Sequence, residues 1–475
     1  MKELDAWVMA VVIGAQPLFF GYLVVLMSFY FALFVSAMVP FRRQFVTRRA
    51  WGELSHASEV WPPLTVILPA YNEEAVIGEC VSTMLRSDYP GLDVVVVCDG
   101  PKDRTFDVLV EQFSLTDAAF QEQRADFVTK PVLRVMRSVD YPNLMVILKQ
   151  NGGKADALNV GLNAARTPLV CCCDADTLIE PGALRRLVVP FQENHVTVAS
   201  SGALMLTNGA VFERGAGRPT QVGAPRSWLA AIQVVEYCRA FYLGRMGFDA
   251  WSAMLIISGA FGVFSRHAMV AVGGYNHATV GEDMDLVVRM HRHYRQKGEA
   301  YDITYVPSAV AWTEAPESLK MLKSQRMRWQ RGLCEVISMH RGMLFDKGAG
   351  APAWLGGTYF LLFEALAPLV EIIGYVFFVL LLFFGHAYWD AWGAMFAMAL
   401  ALLTLVTLGA LTVQQLYAPV VTRSNDLVKL LGAAVLEMVF FKPLSSIWRV
   451  QATWKFLRGH TARWDPIARK GFSTK

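Results

Sequence analysis

The chain has 475 residues, 54% of them hydrophobic, a mean hydropathy of +0.34 and a formal charge of only +4. That length holds one large catalytic domain and a membrane domain. The apolar content is high for a purely soluble enzyme, and so small a charge argues against nucleic acid as a partner. Seven cysteines show no zinc-like pairing, and Cys171, Cys172 and Cys173 are consecutive in an apolar run, so reduced core cysteines are expected.

In chain order, residues 22–39 are uncharged and long enough to cross a hydrocarbon core of roughly 30 Å at about 1.5 Å per residue. Whether 8–15 form a second short segment broken at Pro17 is left open by the pattern. Arg42, Arg43, Arg48 and Arg49 follow with no small-residue cleavage site, so 1–45 reads as a membrane anchor. The positive-inside rule then puts the amino terminus outside and the residues after Arg42 in the cytoplasm.

Residues 62–346 alternate between two periods. Short β-rich runs at 64–68, 93–98, 145–148 and 169–173 are separated by segments of helical period, notably 75–87 and 155–165. This predicts an α/β domain with a largely parallel sheet and ligands at the carboxyl ends of its strands. The charged stretch 114–140 fits no element and reads as a loop-rich insertion. A Gly-rich link, 342–352, is a plain linker or a lid over the site.

From 350 to 448 the chain is apolar again. Runs 354–384 and 391–417 are long enough to span a membrane, while 427–441 is shorter and contains Glu437. Three spans here would carry the basic tail 449–475, with Lys455, Arg458, Arg463, Arg469 and Lys470, to the outside. The third run is therefore expected to be interfacial or re-entrant. Glu364 and Glu371 fall within one apolar run, where acids are costly, and imply a polar pathway or a helix-to-helix contact.

Five polar motifs lie between the greasy ends: Pro69-Ala70-Tyr71-Asn72-Glu73, Asp99-Gly100, Gly152-Gly153-Lys154, Asp174-Ala175-Asp176, and Glu282-Asp283 followed by Gln325-Arg326-Met327-Arg328-Trp329. Asp174 and Asp176, past a buried strand, offer hard oxygens for Mg2+ or Mn2+ beside a diphosphate; a helix cap before Pro181 would use the same residues. Lys154, after two glycines and before a helix, suits phosphate oxygens or a solvated turn. Asp99 is expected to face the ligand edge, where a base, a ribose hydroxyl or a plain turn would use it. Tyr71 offers a flat surface and Glu73 an acceptor. Glu282 and Asp283 open a helix, as its dipole favours, yet a transfer reaction needs a carboxylate to take a proton. Gln325, Arg328 and Trp329 share one helix face.

In this order the motifs resemble the membrane-bound family 2 glycosyltransferases, the group of cellulose, hyaluronan, poly-N-acetylglucosamine and chitooligosaccharide synthases. The resemblance covers about 64–331 and, loosely, the flanking membrane segments. It implies an α/β GT-A (Rossmann-like) cytoplasmic catalytic domain plus an α-helical transmembrane domain, multi-pass in a bacterial-type inner membrane and in contact with its lipids. The implied reaction is inverting transfer from a UDP-sugar to a glycan acceptor, the polymer passing into a membrane channel with possible export partners. By the same resemblance Tyr71, Glu73 and Asp99 hold the uridine, Lys154 contacts the nucleotide, and Asp174 and Asp176 bind phosphates and metal. Asp283 is the general base, Gln325 and Arg328 sit at the diphosphate, and Trp329 lies beneath the acceptor sugar with Ser258, Gly259 and Glu282 nearby. Gly281 stands where many such enzymes carry threonine or serine. Transfer of one sugar to a lipid is the alternative, and a non-enzymatic nucleotide-binding transporter the rival class.

Overall fold

The computed structural model describes residues 2–51, 60–119, 126–213, 217–344, 346, 348, 350–383, 389–419 and 421–460. Its strands are β1 (Leu64–Ala70), β2 (Leu92–Asp99), β3 (Leu115–Asp117), β4 (Val132–Ser138), β5 (Leu144–Lys149), β6 (Leu169–Cys173), β7 (Leu178–Ile179), β8 (Thr197–Leu206), β9 (Ala210–Phe212), β10 (Pro219–Val222), β11 (Phe261–Ser265) and β12 (Asp302–Thr313). Ten form one sheet in the order β3-β4-β5-β2-β1-β6-β11-β8-β12-β7, and β9 and β10 make a small hairpin.

The central strands form because their residues are β-branched or apolar on both faces. In β2 the run Val94-Val95-Val96-Val97 is buried throughout, as expected of a strand covered on both sides. β5, β2, β1 and β6 are mutually parallel. The flanks differ: β4 is antiparallel to β5 and β3 to β4, while β11 is antiparallel to both β6 and β8. The sheet is therefore mixed where a largely parallel one was expected. Part of the reason lies in 114–140, read as loop but containing β3 and β4. Arg134 and Arg137 are exposed on β4 while Val135, Met136 and Ser138 are buried, so charges interleaved with its buried residues hid its period.

Strand direction gathers the motifs at one edge. Tyr71, Asp99, Gly152 and Asp174 follow or end the four parallel strands. β11 runs against β6 with Phe261 opposite Cys173, so the turn at 258–260 enters at the same edge. β12 is parallel to β8 and ends there too, releasing the helix Leu319–Met339. The helix Lys154–Ala164 lies close on the sheet: a Cβ at Gly161 would fall 2.2 Å from Ile67 Cγ2.

One helix, Lys2–Trp51, runs through Pro17 and Pro40, so 8–15 is part of it and no separate segment. Among the described residues three helices are long and apolar enough to cross a membrane: Gly14–Arg42, Pro352–Phe383 and Trp392–Tyr417. The apolar run at 427–441 is not one of them. It is split into the helix Ser424–Leu436 and a π-helical turn Glu437–Phe441, leading into the helix Lys442–Leu457. Glu364 pairs with Arg449 at 3.1 Å and Glu371 with Lys442 at 3.2 Å, so both acids make helix-to-helix contacts that offset their burial. All seven cysteines are free, and only Cys334 is less than fully buried. Arg463, Arg469 and Lys470 lie outside the described residues, as do 345, 347 and 349 of the Gly-rich link.

Candidate active site

The Gly152-Gly153 turn stands on a buried charge cluster. Lys149, 0% exposed, places Nζ 2.5 Å from Asp99 Oδ1 and 2.7 Å from Asp156 Oδ1. Asp99 Oδ1 accepts from the Gly152 amide at 2.9 Å and Oδ2 from the Gly153 amide at 2.8 Å. Gly153 has φ +89°, which favours glycine there, and it leads directly into the helix that starts at Lys154. Asp99 is only 3% exposed; it points inward onto this turn and does not lie open at the ligand edge, because two amides and an ammonium claim its oxygens. Lys149 and Asp156 were missed from the sequence. The available signal was a lysine closing an apolar strand, in register with Asp99 on β2.

Lys154 is the centre of the next group. Its ammonium forms an ion pair with Asp174 and lies 3.7 Å from Glu282 Oε1. Burial opposes its charge, but Asp174, Glu282 and Asp283 outweigh burial and hold its pKa above the usual lysine value. Glu282 is 8% exposed, and burial pushes its carboxyl up to about 7, with Lys154 pulling down and Asp283 pushing up. Asp283 Oδ2 accepts from the Gly259 amide at 3.3 Å. A Cβ at Gly259 would stand 3.0 Å from Lys154 Nζ, so a larger residue here would press on the end of the lysine and shift it by a few tenths of an ångström. Ser258 Oγ accepts from the Ala260 amide at 3.4 Å, shaping the same turn. Lys154, Asp174, Gly259, Glu282 and Asp283 thus form one constellation, drawn from four places in the sequence.

Asp176 is buried beside it, with Oδ1 accepting from Thr177 Oγ1 at 3.3 Å. Among the described residues no three His, Cys, Asp or Glu side chains converge as a ready-made metal centre. Asp174 and Asp176 supply two hard-oxygen groups, and a cationic ammonium already rests against Asp174. Its surroundings therefore suit a cation whose remaining ligands come from water or phosphate.

The candidates for the uridine follow β1, between the strand that ends at Asp99 and the strand that leads into Asp174. Tyr71 is half-buried just past β1. Asn72 takes φ +57°, and its Oδ1 accepts from the Lys102 amide at 2.8 Å. The Glu73 amide donates to Thr105 Oγ1 at 2.7 Å. These bonds pin the turn after β1 to the turn after β2.

The helix Leu319–Met339 begins at Ser318, whose Oγ accepts from the Met321 amide at 3.3 Å. It meets the start of the helix Glu282–Lys297 through paired glycines: a Cβ on Gly281 would lie 3.0 Å from Gly332 O, and one on Gly332 2.9 Å from Gly281 N. That contact accounts for glycine at 281. Glu335 Oε2 adds bonds from the Val280 amide at 2.9 Å and Thr279 Oγ1 at 3.0 Å. Gln325 Oε1 is buried and has no hydrogen-bond partner among the described residues. Arg328 is half-buried one turn on, and Trp329 is 42% exposed with the Arg326 guanidinium 4.6 Å from its ring centroid.

Residues 62–332 match the model of a family described as glycosyltransferase like family 2. The chain is 26% identical over 309 residues to a poly-β-1,6-N-acetyl-D-glucosamine synthase of Staphylococcus epidermidis, covering 65% of this chain and 62% of that protein. It is 27% identical over 274 residues to a synthase of the same name from Staphylococcus aureus strain COL, covering 58% and 55%. The matched part is thus less than two thirds of either relative's length. The structure also aligns over 92% of the chain with a mannosyltransferase of Pyrobaculum calidifontis in complex with GDP-Man and Mn2+, at 17% identity and a TM-score of 0.49.

Proposed function

The chain belongs to the glycosyltransferase-like family 2, and from that premise we propose that it transfers a sugar from a UDP-sugar, with inversion, to a growing β-linked polysaccharide at the membrane. The observation that carries this reading is the order of groups along one sheet edge. Tyr71 and Glu73 follow β1, Asp174 follows β6, Gly259 precedes β11, and the helix with Gln325 and Trp329 leaves β12. That is the order of nucleoside, diphosphate and acceptor along an extended substrate.

In the proposed mechanism Tyr71 and Glu73 hold the uridine, and Asp99 acts on the nucleotide by fixing the Gly152-Gly153 turn. Lys154 exchanges its bond to Asp174 for the diphosphate. Asp174 and Asp176 would hold Mg2+ or Mn2+, which when bound offsets charge on the departing diphosphate. Asp283 takes the proton of the acceptor hydroxyl. The acceptor oxygen then bonds to the anomeric carbon as the bond from that carbon to the diphosphate oxygen breaks, and the electron pair leaves with UDP. Glu282 and the Ser258–Gly259 turn line the acceptor side and hold Asp283 in place. Gln325 and Arg328 meet the diphosphate, the Gln325 amide donating from Nε2, and the indole of Trp329 supports the acceptor ring.

The names of the relatives make UDP-N-acetylglucosamine the first donor to test. Three apolar spans support a multi-pass protein of a bacterial-type inner membrane, with the amino terminus outside, the catalytic domain in the cytoplasm and the polymer exported through the membrane helices, alone or with partner proteins. The test is purified full-length protein with a panel of UDP-sugars, scoring both released UDP and product mass. High-mass glycan is the expected product; a single-sugar lipid product would replace polymer synthesis with glycolipid synthesis, and no UDP release with any donor would refute the reading.

A further inference from the structure

Arg326 precedes Trp329 by three residues, so the two share a helix face, and its guanidinium covers one face of the indole at 4.6 Å. Phe441 flanks the same guanidinium at 5.9 Å. Nη2 of Arg326 donates to Glu236 Oε2 at 2.6 Å. Glu236 belongs to the helix Trp228–Arg239, and one turn on Arg239 forms an ion pair with Glu437 and donates Nη1 to Thr407 Oγ1 at 3.2 Å. Glu437 and Phe441 bound the π-helical turn before the last helix, and Thr407 lies in the span Trp392–Tyr417. The side chains of Arg326 and Glu236 are 12% and 22% exposed, so solvent and salt screen the pair weakly. A guanidinium is a rigid plane: the carboxylate that accepts from its Nη2 also constrains the plane against which the indole lies.

We propose that Glu236 is a positioning residue for the acceptor. Through Arg326 it fixes the Trp329 indole in the plane that receives the terminal sugar, and through its neighbour Arg239 it ties that plane to the carboxyl-terminal membrane segments. The inference rests on the assignment of Trp329 to the acceptor. It predicts that loss of the Glu236 carboxylate spoils acceptor use while leaving donor binding intact, which loss of a merely stabilising ion pair would not do.

The experiment uses full-length protein and the UDP-sugar that the donor panel identifies, with Glu236→Gln, Trp329→Ala and the double variant. The readouts are UDP affinity, sugar incorporated per UDP released, and product length. Glu236→Gln should keep UDP affinity within about two-fold and lower incorporation per UDP about ten-fold, a loss of the size a stacked cation and its charged partner account for. The double variant should be no worse than Trp329→Ala alone, because a missing indole needs no positioning. Losses that multiply, or UDP affinity falling in step with incorporation, would overturn the inference. If Trp329→Ala itself leaves incorporation unchanged, the acceptor assignment fails instead. Two measurements stand apart from that outcome and from misfolding. Trp329 emission, taken as the difference between each protein and its Trp329→Phe counterpart, should shift in Glu236→Gln, and an unchanged spectrum refutes positioning. Arg326→Lys keeps the charge but removes the stacking plane, and it should reproduce the loss of incorporation; normal incorporation would count against the role of the plane.

Discussion

Replacing Lys149 by methionine tests whether the phosphate-side turn depends on charge buried beneath it. Methionine roughly keeps the length and fills the space, but it strands two carboxylates. Asp99 and Asp156 are 3% and 5% exposed, and their shared ammonium lies 2.5 and 2.7 Å away. Removing one member of a buried ion group costs about 3–5 kcal/mol, a large fraction of the roughly 5–15 kcal/mol that holds a domain together. At about 2–4 °C per kcal/mol for a domain of this class, melting should fall by about 6–20 °C. The deficit should shrink as pH drops, since the stranded acids can then be buried neutral. UDP affinity should fall at least about ten-fold, because repulsion between Asp99 and Asp156 would shift the turn that presents Lys154, and each 1.4 kcal/mol is about a factor of ten. Asp99→Asn is the graded control: it leaves Lys149 paired with Asp156 and should cost about 1–3 kcal/mol. Thermal melting at pH 5.5 and 8 together with UDP titration reads both effects. If Lys149→Met melts within about 2 °C of the parent and binds UDP normally, the cluster does not support the turn and the reasoning is refuted.

Further expectations concern the rest of the edge. Asp283→Asn should keep UDP-sugar binding and lower transfer about 10²–10⁴-fold; polymer made at the normal rate would remove Asp283 as the base. An excess of chelator should stop UDP release and Mg2+ or Mn2+ should restore it, whereas full activity in chelator would remove the metal from the mechanism. Glu282 has a carboxyl raised to about 7 by burial, so its contribution to stability is complete below about pH 4.3, the usual unfolded value, and is lost as pH rises through 7. Glu282→Gln should therefore gain on the parent in melting temperature between pH 5 and pH 8, and parallel curves would disprove the shift. Gly332→Ala would drive a methyl into Gly281, whose backbone N lies 2.9 Å from the added carbon; it should cost about 1–3 kcal/mol and lower transfer more than UDP binding, and a variant with parental stability and rate would contradict so tight a contact.

The sequence by itself determined the α/β class, the greasy ends, four central strands and the chain positions of every motif, because these are written in local period and composition. The run 169–173 is observed as β6 without change, and 155–165 as the helix Lys154–Ala164. It could not reveal β4, whose exposed arginines interrupt its apolar pattern, nor the antiparallel course of β11, since strand direction depends on partners far away in the chain. Only the tertiary structure brought Gly259 against Lys154 and Asp283, turned Asp99 inward onto Lys149, and closed Gly281 on Gly332. Each of these is a contact between residues dozens of positions apart, settled by which strand lies beside which and by where buried charge finds a partner. Burial and pairing are properties of the packed molecule: the motifs say which groups are present, and the packing decides which of them meet.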